Sequence, residues 1–211
     1  MDKLFVENSV GSFIEASDKT ILSVASFAAK RLLIPGIQIE GVKHAKEILV
    51  PLLAGKDYEV FCVAFLDPAH KLIAFEEMFR GSVTQTPVYI REIVKRALTL
   101  NATGVILVHN HPSGTTKASD QDILTTFKMK AVGSAMEIDV LDHFVVAGDQ
   151  VGSMRSEGDF RPDKMMKIMM EQMAESLGGT IEIQHIEHSM EDNDLPDVLK
   201  KVLKELKKKL N

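Results

Sequence analysis

The sequence predicts an α/β fold, in which helices flank a β-sheet and helical extensions lie at both ends. The run EVFCVAFL at 59–66 is apolar on both alternating faces, as in a central strand that is covered on both sides. A second apolar strand, GVILVH, begins at Gly104. Between the two, apolar residues repeat at helical spacing from Pro87 to Asn101, which predicts a flanking helix.

Two helices are predicted before the first strand. Apolar positions keep helical spacing from residue 12 to residue 33, where the Pro35-Gly36 pair ends the pattern. A second helical stretch runs from Glu40 to Leu53 and is closed by Gly55. We therefore expect a helical leader over residues 1–54.

The elements after the first strand follow from turn signals and periodicity. The turn DPAH at 67–70 leads into KLIAFEEMF, which is predicted to be an antiparallel neighbour of the first strand. Further on, the loop NHPSGTTKA at 110–118 precedes a helix that Ser119 opens. Glu137 to Ala147 alternates as a strand, and a segment near 150–155 pairs with it as a hairpin. The compact α/β unit, residues 55–158, ends there.

The composition shifts in the C-terminal extension, residues 159–211. Five methionines between Met165 and Met173 lie on a predicted helix, and five acids without Lys or Arg at 182–194 predict a solvated linker. Residues 195–211 form a predicted amphipathic helix with a leucine-rich face and six lysines. We expect that face to pack against the body or a second copy in a homo-oligomer, with DNA or a membrane surface as the alternative partner.

The composition excludes several classes of protein. Apolar residues make up 45% and charged residues 26% of 211 residues, which is typical of a globular chain and not of disorder or a disulfide scaffold. Cys62 is the only cysteine, so cysteine-based zinc clusters are excluded, and burial as apolar filler is its expected role. The net charge of −5 gives no overall attraction to nucleic acid. Without a span of about 18 to 20 apolar residues or a signal peptide, we expect a cytoplasmic protein with no membrane span.

The residues that carry chemistry lie between Val108 and Asp122, in the run VHNHPSGTTKASDQD. His109 and His111 are two residues apart at a strand end, so both imidazoles point to the same side. Asp122, in the first helical turn after the loop, is the nearest carboxylate that can fold back to them. Two imidazoles and one carboxylate suit zinc with a water in the fourth position. The ordinary alternatives are polar strand ends and a capping box at Ser119-x-x-Asp122.

Taken together, the HxH pair and the Ser-x-x-Asp that follows it after seven intervening residues resemble the JAB/MPN-plus (JAMM) metallopeptidase signature. The spelling HNHPSG and the later Leu141-Asp142-His143 are similar to its bacterial RadC-type branch. The resemblance covers about residues 55 to 156. It implies a deaminase-like mixed β-sheet flanked by helices and a Zn²⁺ held by three side chains, namely His109, His111 and Asp122.

The resemblance also implies that Ser119 helps to stabilise the oxyanion and that an upstream glutamate is the general acid/base. That glutamate stands at the start of a strand before the histidines, and Glu59 is the matching position. Glu76 and Glu77 in the neighbouring strand compete with it, and Glu92 on a helix is a further alternative.

Three functions are compatible with these residues. The first is a zinc hydrolase that cleaves an amide or isopeptide bond in a peptide substrate. The second is a repair- or recombination-associated protein that contacts DNA through the lysine-rich helix. The third is a zinc-stabilised interaction module without turnover. A cytidine deaminase is excluded, because its motif needs a PCxxC that a one-cysteine chain lacks.

Overall fold

The computed structural model describes residues 3–7, 9–81 and 87–176, and the chain divides into two compact units, residues 1–159 and 160–211. The first unit contains β1 (Phe5–Glu7), β2 (Phe13–Glu15), α1 (Asp18–Leu32), α2 (Gly41–Leu53), β3 (Val60–Leu66), β4 (Leu72–Arg80), α3 (Ile90–Thr99), β5 (Gly104–Asn110), α4 (Asp120–Ser134), β6 (Asp139–Ala147) and β7 (Gln150–Ser153). The second unit contains α5 (Pro162–Ser176), the predicted methionine-rich helix. The predicted acidic linker and basic helix lie outside the described residues.

Five strands form one mixed sheet in the order β4-β3-β5-β6-β7. Only β5 and β6 pair in parallel, and the other three neighbouring pairs are antiparallel. The parallel pair is connected through α4, as a parallel crossover requires. The predicted α/β class with a mixed sheet flanked by helices is therefore confirmed.

The sheet is covered on both faces, which explains why its central strands are apolar throughout. All seven residues of β3 and all seven of β5 are buried. One face of the sheet packs against α2, and the opposite face packs against α3 and the buried Met129 of α4. Cys62 is buried within the first of these clusters, as expected for apolar filler, and burial raises the pKa of its thiol to about 12.

A β-bulge in β6 decides which side chains of that strand face each helical layer. Val105 pairs with Val140 and the next residue, Ile106, pairs with Asp142, so Leu141 is an extra residue in β6. Phe144 then faces the α2 layer. His143, its neighbour in the strand, therefore lies on the opposite face, towards α3 and α4.

The N-terminal region differs from the predicted helical leader. Residues 13–15 form β2, which pairs antiparallel with β1, and α1 starts only at Asp18. Ser17 is the reason, because its side chain accepts the Thr20 N–H and caps the helix there. The second predicted helix is present as α2, but its buried face belongs to the core of the sheet. Across the described ranges, no helix has the length and apolar content needed to cross a membrane.

The loop that follows β5 packs closely on β7. A Cβ atom on Gly152 would lie 2.8 Å from the Thr116 carbonyl oxygen and 2.9 Å from a Glu157 carboxylate oxygen. Real Cβ atoms do not approach other atoms so closely, so a side chain here must displace the loop. Gly104, another strand glycine, has its nearest atoms at 3.6 to 3.8 Å, which is ordinary contact.

We expect Gly152→Ala to lower the free energy of unfolding by about 1–3 kcal/mol, because overpacking a tight contact forces the backbone to shift. Gly104→Ala is the matched control and should change it by less than about 1 kcal/mol. Urea denaturation of the two variants and the wild type measures both values. Equal stability of the two variants would contradict the close packing of loop and strand.

Candidate metal centre

Four side chains from three different elements converge at the carboxyl end of β5. His109 belongs to β5, His111 is the first residue after that strand, and Asp122 lies in the first turn of α4. Glu59 immediately precedes β3, which is antiparallel to β5 with Phe61 opposite His109. The ligand atoms of Glu59, His109, His111 and Asp122 all lie within 4.8 Å of one another. The structure therefore brings together the predicted metal-site residues and the predicted general base.

The two histidines face each other through their Nε2 atoms, which are 2.9 Å apart. His111 Nδ1 lies 2.9 Å from the carbonyl oxygen of Thr115, an atom that can only accept a hydrogen bond. His111 must therefore carry a hydrogen on Nδ1, and its neutral form has a lone pair on Nε2. The Thr115 carbonyl in the loop thus leaves Nε2 of neutral His111 with its lone pair available for a metal ion.

A cation fits between these groups. The three neighbouring distances are 2.9 Å between the Nε2 atoms, 3.3 Å from His109 Nε2 to Asp122 Oδ1 and 3.4 Å from His111 Nε2 to Asp122 Oδ2. A tetrahedral zinc ion with bonds of about 2.1 Å separates its ligands by about 3.4 Å, close to these values. Nitrogen and carboxylate donors at this spacing suit a divalent metal ion of the zinc type.

Asp122 has two roles, since the predicted capping box is also present. Its Oδ2 accepts hydrogen bonds from the Ser119 N–H at 2.8 Å and the Ser119 hydroxyl at 2.6 Å, while the Asp122 N–H donates to Ser119 Oγ. Burial alone would raise the pKa of the Asp122 carboxyl, but its contacts with the His109 and His111 rings and the hydrogen bond from Ser119 hold that pKa well below its usual value. The carboxylate is therefore charged and fixed in position.

The electrostatics of these four side chains are those of a cation site. The hydrogen bond to the Asp122 carboxylate raises the pKa of His111 despite its partial burial, and the nearby charge of Glu59 contributes to the same direction. Two carboxylates thus face two imidazoles, and a proton or a metal ion compensates their charge.

The three competing glutamates are engaged elsewhere. Glu76 receives a bidentate hydrogen bond from Arg96, with a shortest distance of 2.6 Å. Glu77 lies 2.6 Å from Arg80, and Glu92 lies 3.2 Å from Arg91. Glu59 is the only one of the four glutamates that belongs to the cluster of ligand atoms.

Asn110, between the two histidines, was not singled out by the sequence analysis. Its side chain is buried and spans the backbone on both sides of Glu59: Oδ1 accepts the Val60 N–H at 2.8 Å, and Nδ2 donates to the Tyr58 carbonyl at 3.0 Å. The amide thus extends the pairing between β3 and β5 by one residue, in the way that a peptide group would. Asn110 holds Glu59 beside the histidines. The signal in the sequence that could have identified Asn110 is an amide residue at the end of an apolar strand.

His143 and Thr126 were also missed as site residues, although the Asp142-His143 pair was noted. His143 is fully buried, with its Nε2 atom 2.8 Å from His109 Nδ1 and its Nδ1 atom 2.7 Å from Thr126 Oγ1. Burial, with a further contribution from His109, lowers the pKa of His143 well below its usual value. His143 is therefore a neutral neighbour of a metal-site histidine.

We expect Asn110→Ala to lower the free energy of unfolding by about 1–3 kcal/mol, because the buried Val60 N–H loses its acceptor. Gln38→Ala is the control: Gln38 is an exposed amide whose Nε2 donates to the Ala69 carbonyl at 2.6 Å, and its loss should cost less than about 0.5 kcal/mol. Denaturant titration compares the variants. An equally small effect in both would show that Asn110 does not hold the strand.

Comparison with known proteins gives one family and a set of relatives. The family model described as RadC-like JAB domain matches residues 39–159, more than half of the chain. A UPF0758 protein of Janthinobacterium sp. (strain Marseille) is 44% identical over 151 residues, covering 72% of this chain and 67% of the relative. One from Herminiimonas arsenicoxydans is 43% identical with the same coverage of both. One from Methylibium petroleiphilum is 51% identical over 113 residues, covering 54% of this chain and 51% of the relative.

Proposed function

Because the chain belongs to the RadC-like JAB domain family, we propose that it is a zinc-dependent hydrolase of the JAMM metallopeptidase type. The proposed reaction is hydrolysis of an amide or isopeptide bond in a peptide substrate. The observation that carries the proposal is the convergence of Glu59 on the three proposed ligands His109, His111 and Asp122, within 4.8 Å. A catalytic zinc site has three protein ligands and an open position for water, whereas a structural site is closed by four, and the proposed set of three ligands with a base beside it fits the catalytic kind.

His109, His111 and Asp122 would hold the zinc ion through two nitrogens and one carboxylate oxygen. A bound zinc ion supplies Lewis acidity, which lowers the pKa of a coordinated water to about 7. The burial of His109 and the low exposed fraction of His111 and Asp122, 14% for each side chain, limit access of bulk solvent to these ligands. Such partial burial strengthens electrostatic interactions within the site.

Glu59 is the proposed general base and acid. Its carboxylate accepts a proton from the attacking water and returns it to the nitrogen of the leaving amine. The half-buried position beside the ligand set and the clamp by Asn110 on residues 58 and 60 support this assignment. A base must lie within hydrogen-bond reach of the proton that it removes, and of the four candidate glutamates only Glu59 belongs to the cluster of ligand atoms, which supports this role.

Ser119 is proposed to stabilise the oxyanion by donating its hydroxyl hydrogen. In the structure that hydrogen is donated to Asp122 Oδ2 at 2.6 Å. Rotation about the side chain must therefore redirect it when the oxyanion forms. Until then, the same hydroxyl keeps the Asp122 carboxylate in place.

Zinc binding is tested by elemental analysis of purified variants. We expect one zinc ion per wild-type chain and no bound zinc in His109→Ala or His111→Ala, because each change removes one of three ligands. Asp122→Asn should weaken binding, since an amide lacks the negative charge that helps to neutralise the metal ion. His70→Asn removes an exposed histidine outside the cluster and should leave the zinc content unchanged. Full zinc content in either alanine variant would remove the proposed site.

The role of Glu59 is tested by Glu59→Gln, which is nearly isosteric but cannot accept a proton. We expect zinc content to stay at the wild-type level and hydrolysis of a panel of peptide and isopeptide substrates to fall about 10²–10⁴-fold. Glu92→Gln, a change in an exposed ion pair on α3, is the control and should leave both unchanged. Loss of zinc in Glu59→Gln would identify a fourth ligand instead of a base, and normal turnover would contradict both roles.

A further inference from the structure

We propose that Thr126 and His143 form a relay of hydrogen bonds that keeps the hydrogen of His109 on Nδ1 and so presents Nε2 as a metal ligand. The inference rests on the proposed metal site and names two positioning residues behind it. The relay consists of three short contacts in sequence: Asp122 carbonyl to Thr126 Oγ1 at 2.7 Å, Thr126 Oγ1 to His143 Nδ1 at 2.7 Å, and His143 Nε2 to His109 Nδ1 at 2.8 Å.

The direction of the relay is fixed at its first contact. A main-chain carbonyl can only accept, and two oxygen atoms 2.7 Å apart repel each other unless a hydrogen lies between them. The Thr126 hydroxyl has a single hydrogen, which it therefore donates to the Asp122 carbonyl. Its oxygen is left as the acceptor for the next member of the relay, so His143 must carry its hydrogen on Nδ1.

The direction of the hydrogen bonds at Thr126 also determines the direction of the contact between His143 and His109. His143 is fully buried, which disfavours a charged ring, and a neutral ring with its hydrogen on Nδ1 has a lone pair on Nε2. That lone pair accepts the hydrogen of His109 Nδ1. A neutral His109 then has no hydrogen on Nε2, so this atom and His111 Nε2, 2.9 Å apart and beside Asp122, face each other as two acceptors that only a shared cation can hold together. The opposite direction would place a hydrogen on Nε2 and block it as a ligand.

Both histidines of the site are thus held in the same tautomer by different acceptors. His111 uses the Thr115 carbonyl in the loop, whereas His109 uses the relay in the core. Histidine ligands commonly donate their second N–H to a carboxylate, a carbonyl or water, and carboxylate partners raise the basicity of the ligand. A neutral imidazole in that place adds no negative charge behind a site that already contains Asp122 and Glu59. A bound metal ion would therefore keep more of its Lewis acidity.

The tautomer is measured on metal-free protein with ¹⁵N-labelled histidine, by long-range ¹H–¹⁵N correlation in buffer alkaline enough for neutral imidazoles. We expect the hydrogen on Nδ1 in His109 and in His143. In Thr126→Val the hydroxyl is lost and His109 should become a mixture of tautomers, whereas Thr126→Ser should retain the wild-type spectrum. A hydrogen on Nε2 of His109 in the wild type would overturn the relay.

Zinc affinity, measured by competition with a chromophoric chelator, gives the second readout. His143→Leu should bind zinc about 10–100-fold more weakly, and Thr126→Val should follow in the same direction. Thr125→Val is the matched control, because it removes a buried hydroxyl one residue away that contacts only Gln121 among the contacts described for it. The Thr126 pair keeps the test valid if His143→Leu does not fold. Wild-type affinity in Thr126→Val and His143→Leu would overturn the relay.

The two readouts separate the relay from the proposed function. Wild-type protein that takes up no zinc would overturn the proposed hydrolase, but the tautomer of His109 in metal-free protein would still decide on the relay. Conversely, the wild type can take up zinc and yet carry the hydrogen of His109 on Nε2 when it is measured without metal. That pair of results would overturn the relay alone.

Discussion

The pairing of β5 with β3 on one side and with β6 on the other is the interaction on which the rest of this molecule depends. β5 is buried along its whole length, so both of its faces and both of its edges are fixed by neighbours. Its antiparallel partner brings Glu59 to the candidate metal centre, and its parallel partner brings His143. The loop after β5 turns back to α4, whose first turn carries Asp122. A single buried strand end thus gathers groups that are up to 84 residues apart, between positions 59 and 143.

Much of this arrangement could be predicted from local patterns. The apolar runs at 59–66 and from Gly104 predicted the two central strands, and the spacing of His109 and His111 predicted that both rings share one side. Two residues on one strand have a fixed relation, so periodicity is sufficient there. The position of Glu59 needed the family resemblance as well, because sequence alone left other glutamates as alternatives. The structure places those in ion pairs with arginines, and the pair of Glu76 with Arg96 joins β4 to α3, a contact that no local pattern reveals.

The remainder could not be predicted, for a physical reason that differs from case to case. Asn110 acts through two backbone groups of the neighbouring strand, and such a contact leaves no periodic trace in the sequence. His143 faces the site only because of a bulge, which hydrophobic patterns do not reveal. The short β2 lies in the segment predicted as helix, because alternating and helical spacing overlap in so few residues. For Asn110 and His143 a tertiary contact, and not a local preference, decided the outcome.

The bulge at Leu141 sets the register of every residue that follows it in β6. Side chains of a strand alternate, so if β6 were regular, with Leu141 opposite Ile106, Val108 would lie opposite His143 and Phe144 opposite His109. The imidazole would then enter the apolar layer against α2, and an aromatic ring would fill the space behind the metal centre. Deletion of Leu141 would remove the bulge and leave His143 opposite Leu107, whereas pairing of Leu141 with Ile106 in the intact chain would exchange the side chains of two layers at once. The irregular pairing of β6 at Ile106 is therefore a stricter constraint on this fold than the identity of residue 141 itself.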